Sequence, residues 1–325
     1  MKAILHNEGC NAEELKIGEI EKPSLTSKQI LIKVQAAGIN RADIMQRQGK
    51  YPPPKGASTI LGLEISGIVE ETGSEVTKWK KGDKVFGLIP GGGYAEYAVI
   101  NENMAMSIPN NLSMIEAAAI PEVFLTAYQA VIYYGKIKSG ETLLIHAGAS
   151  GVGTAAIQIA KELKAKIIIT ASKAKHEACI NLGAEKAIDY KTEDFFPAVL
   201  NFTNNQGVDV IIDFIGAPYL QRNLNLLKPD GRIIMLSTLG GRIVNELDIS
   251  RIVGRRLSII GSALRSRDLF YQTKLVTEFS SFALEKFATG KLKPVIDKVF
   301  NFQNASEAHK YMEENKNIGK IVLEF

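Results

Sequence analysis

Over the first 110 residues, short β-rich apolar runs such as 30–34 and 65–69 alternate with Gly, Pro and polar turns at about ten-residue spacing. That texture predicts a mostly antiparallel sheet. Near residue 115 the pattern changes. From 115 to 129 apolar residues recur at helical spacing, and strand and helix patterns then alternate. The reading is strand 142–146, helix 152–164, strand 166–170, helix 176–182, strand 208–213, helix 220–227 and strand 232–236. Four strands joined by three crossovers predict an α/β fold with a Rossmann-type, doubly wound parallel sheet. After Gly261 a helical stretch covers 269–289, followed by an extended run at 295–300, a helix at 305–315 and a short strand at 320–323. A terminal strand that short needs partners. The economical arrangement is a discontinuous first domain, 1–119 with 266–325, interrupted by a cofactor domain at 120–265. Ligand is expected in the cleft between two such domains.

Composition narrows the function. At 325 residues the chain exceeds the usual size of one domain, and 46% hydrophobic with 23% charged residues is ordinary for a globular protein. The 39 basic and 35 acidic residues leave +4, with no run of five like charges, so no nucleic-acid partner is expected. Two cysteines, Cys10 and Cys179, exclude a four-cysteine zinc site. The start Met1-Lys2-Ala3-Ile4-Leu5 lacks a charged-then-apolar signal pattern, and no stretch reaches the ~18 apolar residues of a membrane helix. The expectation is a cytoplasmic protein with no membrane partner.

The chemistry concentrates at Leu143-Leu144-Ile145-His146-Ala147-Gly148-Ala149-Ser150-Gly151-Val152-Gly153, where an apolar strand runs through a glycine-rich turn into a helix. A pyrophosphate needs that context: close backbone approach, free N–H groups and the positive end of a helix. Gly148, Ser150, Gly151, Val152 and Gly153 are the candidate phosphate contacts, with Ser150 standing where the strict pattern has glycine. The tip of the next strand reads Thr170-Ala171-Ser172-Lys173-Ala174-Lys175, with no carboxylate until Glu177. An NAD site places an acidic residue there for the ribose hydroxyls. Hydroxyl and ammonium donors instead suit a 2′-phosphate, so NADPH is the expected cofactor.

Asn40 to Gly49, Tyr51, Leu61-Gly62-Leu63-Glu64, Pro90 to Gly93, Ala118 to Glu122, the glycine loop, Leu264 to Asp268 and Asn315 to Lys320 form runs spread over nearly the whole chain. In these runs the chain resembles the medium-chain dehydrogenase/reductase superfamily, in particular its zeta-crystallin-like, zinc-independent NADPH:quinone oxidoreductases and, among them, the tumour-suppressor-inducible subfamily. The resemblance implies a GroES-like first domain. It places Ser172, Lys175 and Tyr190 around the 2′-phosphate, with Lys173 as the competitor of Lys175. Thr126 becomes a nicotinamide contact, and Leu239, Gly240 and Leu264 become main-chain contacts to the carboxamide. Asn40 and Tyr51 line the substrate side, with Ser150 at the loop tip. A homodimer joined edge to edge through the cofactor domains is also implied, with 257–261 as the edge strand.

Zinc-dependent members of the superfamily take a Cys from the segment that here reads Gly38 to Asp43 and a His from the triplet that here reads Gly62-Leu63-Glu64. With neither ligand present, no metal is expected, and alcohol oxidation loses its Lewis acid. The expected reaction delivers reducing equivalents, as hydride or singly, to a quinone. Enoyl or alkenal reduction is the alternative, and a non-enzymatic NADPH-binding or RNA-associated role the remote one. The individual residues also carry structural readings. Tyr51 could wedge the rigid turn before Pro52-Pro53-Pro54, Asn40 and Asp43 suit a helix start, Glu64 could pair with Arg41 or Arg47, and His146 reads as a core histidine more than a base. Arg265 and Arg267 either bind an anion or line the interdomain rim.

Overall fold

Strands Thr142–Ile145 and Val208–Asp213 pair in parallel at the centre of a six-stranded sheet. On one side follow Lys166–Ala171 and Lys186–Asp189, on the other Leu227–Met235 and Ser258–Gly261, all parallel. Counted along the chain the order is the doubly wound 3-2-1-4-5-6. The computed structural model describes all 325 residues, Met1–Phe325. They form two compact units, Thr126–Leu264 and Met1–Leu125 with Arg265–Phe325.

In the parallel-sheet unit, the central strands are continuous apolar runs because helices cover both faces. Leu144, Ile168, Ile211 and Ile233 are fully buried in one core cluster with Val199 and Leu224. Three elements add to the expected alternation: strand Lys186–Asp189 and helices Phe195–Phe202 and Ser250–Arg255 were absent from it. Four residues carry too little pattern for a strand, and Phe195–Phe202 is apolar except for Asn201, with a proline inside; Asp194 starts it by accepting from the Phe196 N–H at 2.8 Å. The apolar stretch 115–129 is not one helix. Met114–Ala118 and Pro121–Tyr128 are separate, the second begun by a proline suited to a first turn, and the chain continues as a π-helix at Gln129–Tyr134.

In the other unit, strand Gln29–Ile39 is the hub of a seven-stranded sheet, pairing with Glu64–Thr72, Tyr97–Asn101 and the terminal strand Lys320–Glu324, all antiparallel. Ile321 lies opposite Ile39, which carries Lys320 alongside Asn40, the cap of helix Arg41–Arg47. The returning chain thus delivers one cation into the middle of this unit. Helix Leu269–Ala288 precedes that return.

Candidate active site

Every parallel strand points the same way, so the segments that follow them share one edge of the sheet, where ligands bind in such folds. The glycine loop follows Thr142–Ile145, Ser172 and Lys175 follow Lys166–Ala171, and Tyr190 follows Lys186–Asp189. Leu239 with Gly240 and Leu264 follow the remaining two outer strands. Thr126 is the exception, half-buried on helix Pro121–Tyr128.

The loop is built by close approach. A Cβ on Gly148 would lie 2.5 Å from Cβ of Ile169, on the neighbouring strand. One on Gly153 would lie 2.5 Å from the Gly148 carbonyl oxygen. These two glycines are demanded by the chain's own packing. Ser150 caps helix Gly151–Glu162, its Oγ accepting from the Gly153 N–H at 3.1 Å. The first-turn amides of Gly151 and Val152 are what the helix end presents to an anion.

His146, fully buried beneath the loop, is held in one tautomer. Nε2 lies 2.9 Å from Oδ1 of Asn223, which can only accept, so Nε2 donates and Nδ1 accepts from Thr170 Oγ1 at 3.2 Å. Burial lowers its pKa to about 4, so it stays neutral. It is a core histidine that shapes the loop, with Thr170 Oγ1 also accepting from the Ala147 N–H at 3.3 Å.

At the second strand tip, Ser172 begins a short turn Lys173–Lys175. Lys173 is exposed and Lys175 half-buried. Asp189 pairs with Ala171, which sets half-exposed Tyr190 abreast of Ser172. The residues fit a nicotinamide dinucleotide: a glycine cradle that a side chain would fill, a capped helix start, and donors at the strand tip.

The first unit contains a buried polar network. Lys320 Nζ donates to the Ile39 carbonyl oxygen at 2.6 Å and to Asn40 Oδ1 at 2.7 Å, and lies 2.6 Å from Glu64 Oε1. Asn40 Nδ2 donates to that same Oε1 at 2.9 Å, and the Glu122 N–H donates to Glu64 Oε2 at 2.8 Å. The amide of Asn40 is therefore committed at both ends to internal partners. Asp43 accepts from the Asn40 N–H at 2.7 Å and the Gly62 N–H at 3.0 Å; burial nonetheless raises its pKa to about 6. The Tyr94 hydroxyl donates to Asp43 at 3.3 Å and accepts from His309 Nε2, whose Nδ1 accepts from Arg47. Glu64 pairs with neither Arg41 nor Arg47. Arg41 donates to the Met312 carbonyl oxygen and to Asn315, and Arg47 pairs with Glu313, because helix Ala305–Glu313 supplies acceptors nearer to both.

Tyr51 is half-buried with the Arg265 guanidinium 5.3 Å from its ring centroid. Burial and the nearby Glu122 push its pKa above the ordinary phenol value, so it is a hydrogen-bond donor at neutral pH. Arg265 is buried, whereas Arg267 is exposed over the ring of Tyr271.

Two family models match the chain, "Alcohol dehydrogenase GroES-like domain" at residues 26–110 and "Zinc-binding dehydrogenase" at 151–280. A quinone oxidoreductase of Lama guanicoe is 32% identical over 330 residues, covering 99% of this chain and 97% of that protein. The chain belongs to the medium-chain dehydrogenase/reductase superfamily. A synaptic vesicle membrane protein VAT-1 homolog of Danio rerio is also 32% identical, over 93% of this chain and 65% of its own length. Among solved structures, the Escherichia coli quinone oxidoreductase complexed with NADPH superimposes with a TM-score of 0.90 at 28% identity, covering both chains fully. The CurK enoyl reductase gives 0.88 at 29% identity over 99% of this chain and 98% of that one. As in the superfamily, the fold joins a Rossmann-like sheet to a GroES-like unit, the chain is an oxidoreductase, and its cofactor is a nicotinamide dinucleotide.

The second model's description implies zinc, and the residues do not fit it. Asn40 and Leu63 stand in the segments that carry the cysteine and histidine ligands in zinc-dependent members. The oxygens of Asn40 and Glu64 converge on the Lys320 ammonium, and no three His, Cys, Asp or Glu side chains are grouped to hold a metal. Sequence reasoning missed Lys320 as a member of this network. Its only local signal is a lysine leading an otherwise apolar strand, Lys-Ile-Val-Leu.

Proposed function

We propose that the protein is an NADPH-dependent, zinc-independent quinone reductase. The observation that carries this reading is the Lys320 ammonium drawn in by Glu64 and Asn40, which commits the donor set to an internal ion pair. An alcohol's oxygen gains no Lewis acid from such a site. An acceptor whose reduced form is a stabilised anion needs none. When bound, the nicotinamide supplies the reducing equivalents. The chain's part is to hold and orient. Gly151 and Val152 offer amides to the pyrophosphate, and Ser172, Lys175 and Tyr190 offer donors to the 2′-phosphate, which the absence of a carboxylate before Glu177 leaves unopposed. Tyr51 donates to the acceptor oxygen, and Asn40, fixed by Lys320 and Glu64, positions the backbone beside it.

The test is a paired titration with NADPH and NADH, followed by an acceptor panel of ortho- and para-quinones, enals and enoyl thioesters. Tighter NADPH binding with quinone turnover above background supports the reading. Absent quinone turnover overturns it. The likeness to the CurK enoyl reductase favours a second reading, reduction of a conjugated alkene, and turnover confined to the enals and thioesters would select it.

A further inference from the structure

We propose that Tyr219 is a further specificity-determining residue for the cofactor, its hydroxyl donating, beside that of Tyr190, to the phosphate on the adenosine 2′ position. The inference rests on the NADPH reading and adds to it a side chain that lies outside both the glycine loop and the second strand tip.

Tyr219 reaches the carboxyl edge of the parallel sheet from its fourth strand in chain order. Strand Val208–Asp213 ends in a turn at Gly216, and helix Ala217–Leu226 follows with Pro218 in its first turn and Tyr219 at the third position. The turn is tightly specified. Gly216 has φ 84°, and a Cβ there would lie 2.6 Å from the Gly241 carbonyl oxygen, so only glycine fits. The Ile215 N–H donates to Asp213 Oδ1 at 2.7 Å, which pins the same turn from inside.

The ring is held as firmly as the backbone. Its centroid lies 4.8 Å from that of His146, in an edge contact, and 4.6 Å from that of Phe195. His146 also meets Phe195 at 4.9 Å. The three rings therefore interlock, and His146 is itself fixed by Asn223 and Thr170. Tyr219 is half-buried, yet its hydroxyl makes no hydrogen bond within the chain and is not enclosed. A fixed ring that ends in an unengaged donor, at the edge where such sheets bind ligands, is matched by an acceptor on the ligand.

Its neighbours identify that acceptor. Tyr190 lies near enough for the charge state of one phenol to act on the other, and Tyr190 stands abreast of Ser172 through the Asp189–Ala171 pairing. Burial raises the Tyr219 pKa above the ordinary phenol value, so the hydroxyl keeps its proton to donate. Asp213 also acts on Tyr219, but its carboxyl is engaged by the Ile215 and Gly216 amides and by Asn223 Nδ2. Arg222, one turn further along the helix, crosses the Phe195 ring and pairs with Asp194. That cation is already matched by an anion. The two phenols are thus left to join Ser172 and Lys175 as donors.

A phosphate monoester offers several anionic oxygens, and a hydrogen bond to an ionised acceptor is roughly twice as strong as one between neutral groups. The 2′-hydroxyl of NADH offers no such gain. Tyr219 therefore contributes to the preference between the two dinucleotides rather than to the affinity they share.

The experiment titrates the full-length protein calorimetrically with adenosine 2′,5′-bisphosphate and with adenosine 5′-monophosphate, two probes that differ only in the phosphate at issue. The native protein is expected to bind the bisphosphate about tenfold or more tightly than the monophosphate. Tyr219→Phe keeps the ring and removes only the hydroxyl. It should weaken the bisphosphate and NADPH about five- to twentyfold while leaving the monophosphate and NADH within about twofold. Because that hydroxyl bonds nothing within the chain, the thermal unfolding midpoint should not move. A bisphosphate preference that survives in Tyr219→Phe overturns the proposal, and so does equal weakening of both probes, which would put the contact on the nucleoside itself. A native protein with no preference between the probes removes the NADPH reading together with this one. A Tyr219-dependent preference without quinone turnover keeps the residue and removes the reductase reading.

Discussion

Lys320 Nζ lies 2.6 Å from Glu64 Oε1, with the two side chains 3% and 0% exposed. Removing one member of a buried pair strands the other, at about 3–5 kcal/mol. Lys320→Met is therefore expected to lower stability by roughly that amount, measured by urea unfolding. Lys320→Met with Glu64→Gln should be markedly less destabilised than the single variant, since no charge is then left alone. Equal losses in both would show that the pair is not the source.

Glu122 gives stability a pH dependence of definite sign. Its carboxyl titrates near 8 in the folded protein against an ordinary value of 4.5. Between those values the unfolded chain has released the proton and the folded chain retains it, so stability contributed by the neutral form falls as pH rises. The slope approaches about 1.4 kcal/mol per pH unit for one proton. Buried His309 and His146, lowered to about 3 and about 4, act in the opposite direction, but only below pH 6.5. Denaturant midpoints measured from pH 6.5 to 8 should therefore decline in the native protein and flatten in Glu122→Gln. Parallel curves would remove Glu122 as the cause.

The parts of the molecule that were legible in the sequence are those encoded locally. The glycine loop lies between its own strand and helix, and the donor-rich tip at Ser172 follows directly from the next strand. The discontinuous sheet was legible too, because a short apolar end at 320–323 cannot stand alone. What escaped depends on partners distant in sequence. Arg265 meets the Pro90 oxygen across 175 residues, and Lys320 meets Asn40 across 280. Pairing Glu64 with a nearby arginine follows proximity along the chain, whereas the antiparallel register of Lys320–Glu324 on Gln29–Ile39 decides the true partner. Neither Arg265 nor Arg267 had a signal favouring it; only burial separates them.

Gly148 allows the turn to rest on the second strand. An added Cβ would sit 2.5 Å from Ile169 Cβ, with branched side-chain carbon in the way. Gly148→Ala is expected to cost about 1–3 kcal/mol by overpacking and to weaken dinucleotide binding by displacing the loop. Gly148→Ala combined with Ile169→Gly, which removes the obstructing Cβ with its branches, should recover binding more than stability. Fluorescence titration with NADPH and thermal unfolding read the two effects separately. Full affinity in Gly148→Ala would refute the coupling.

On the NADPH reading proposed above, Lys175, half-buried where Lys173 is exposed, is the ammonium expected at the 2′-phosphate. Lys175→Glu should weaken NADPH at least tenfold while leaving NADH within about twofold, because only one of them carries the repelled group. Lys173→Glu should change the ratio much less. The native preference should also shrink with added salt, as screening of a partly exposed pair requires. A Lys175→Glu variant that loses both cofactors equally would point to a damaged fold, and one that loses neither would move the phosphate site elsewhere.

Ser258–Gly261 ends the parallel sheet, hydrogen-bonded on one side to Leu227–Met235. An uncovered edge is an invitation to pairing, which proteins ordinarily blunt with charge or proline. Here it carries Ile259 at 40% exposure, and the preceding helix Ser250–Arg255 shows Val253 at 78%. Two copies meeting about a twofold axis would pair these edges and bury the same apolar surface on each. The expected state is a homodimer, read as twice the 35.5 kDa chain mass in light scattering at micromolar concentration. Ile259→Lys places like charges across that axis and should shift the mass toward one chain, with far-ultraviolet circular dichroism unchanged. A native protein already monomeric under those conditions would mean that the edge is tolerated uncovered.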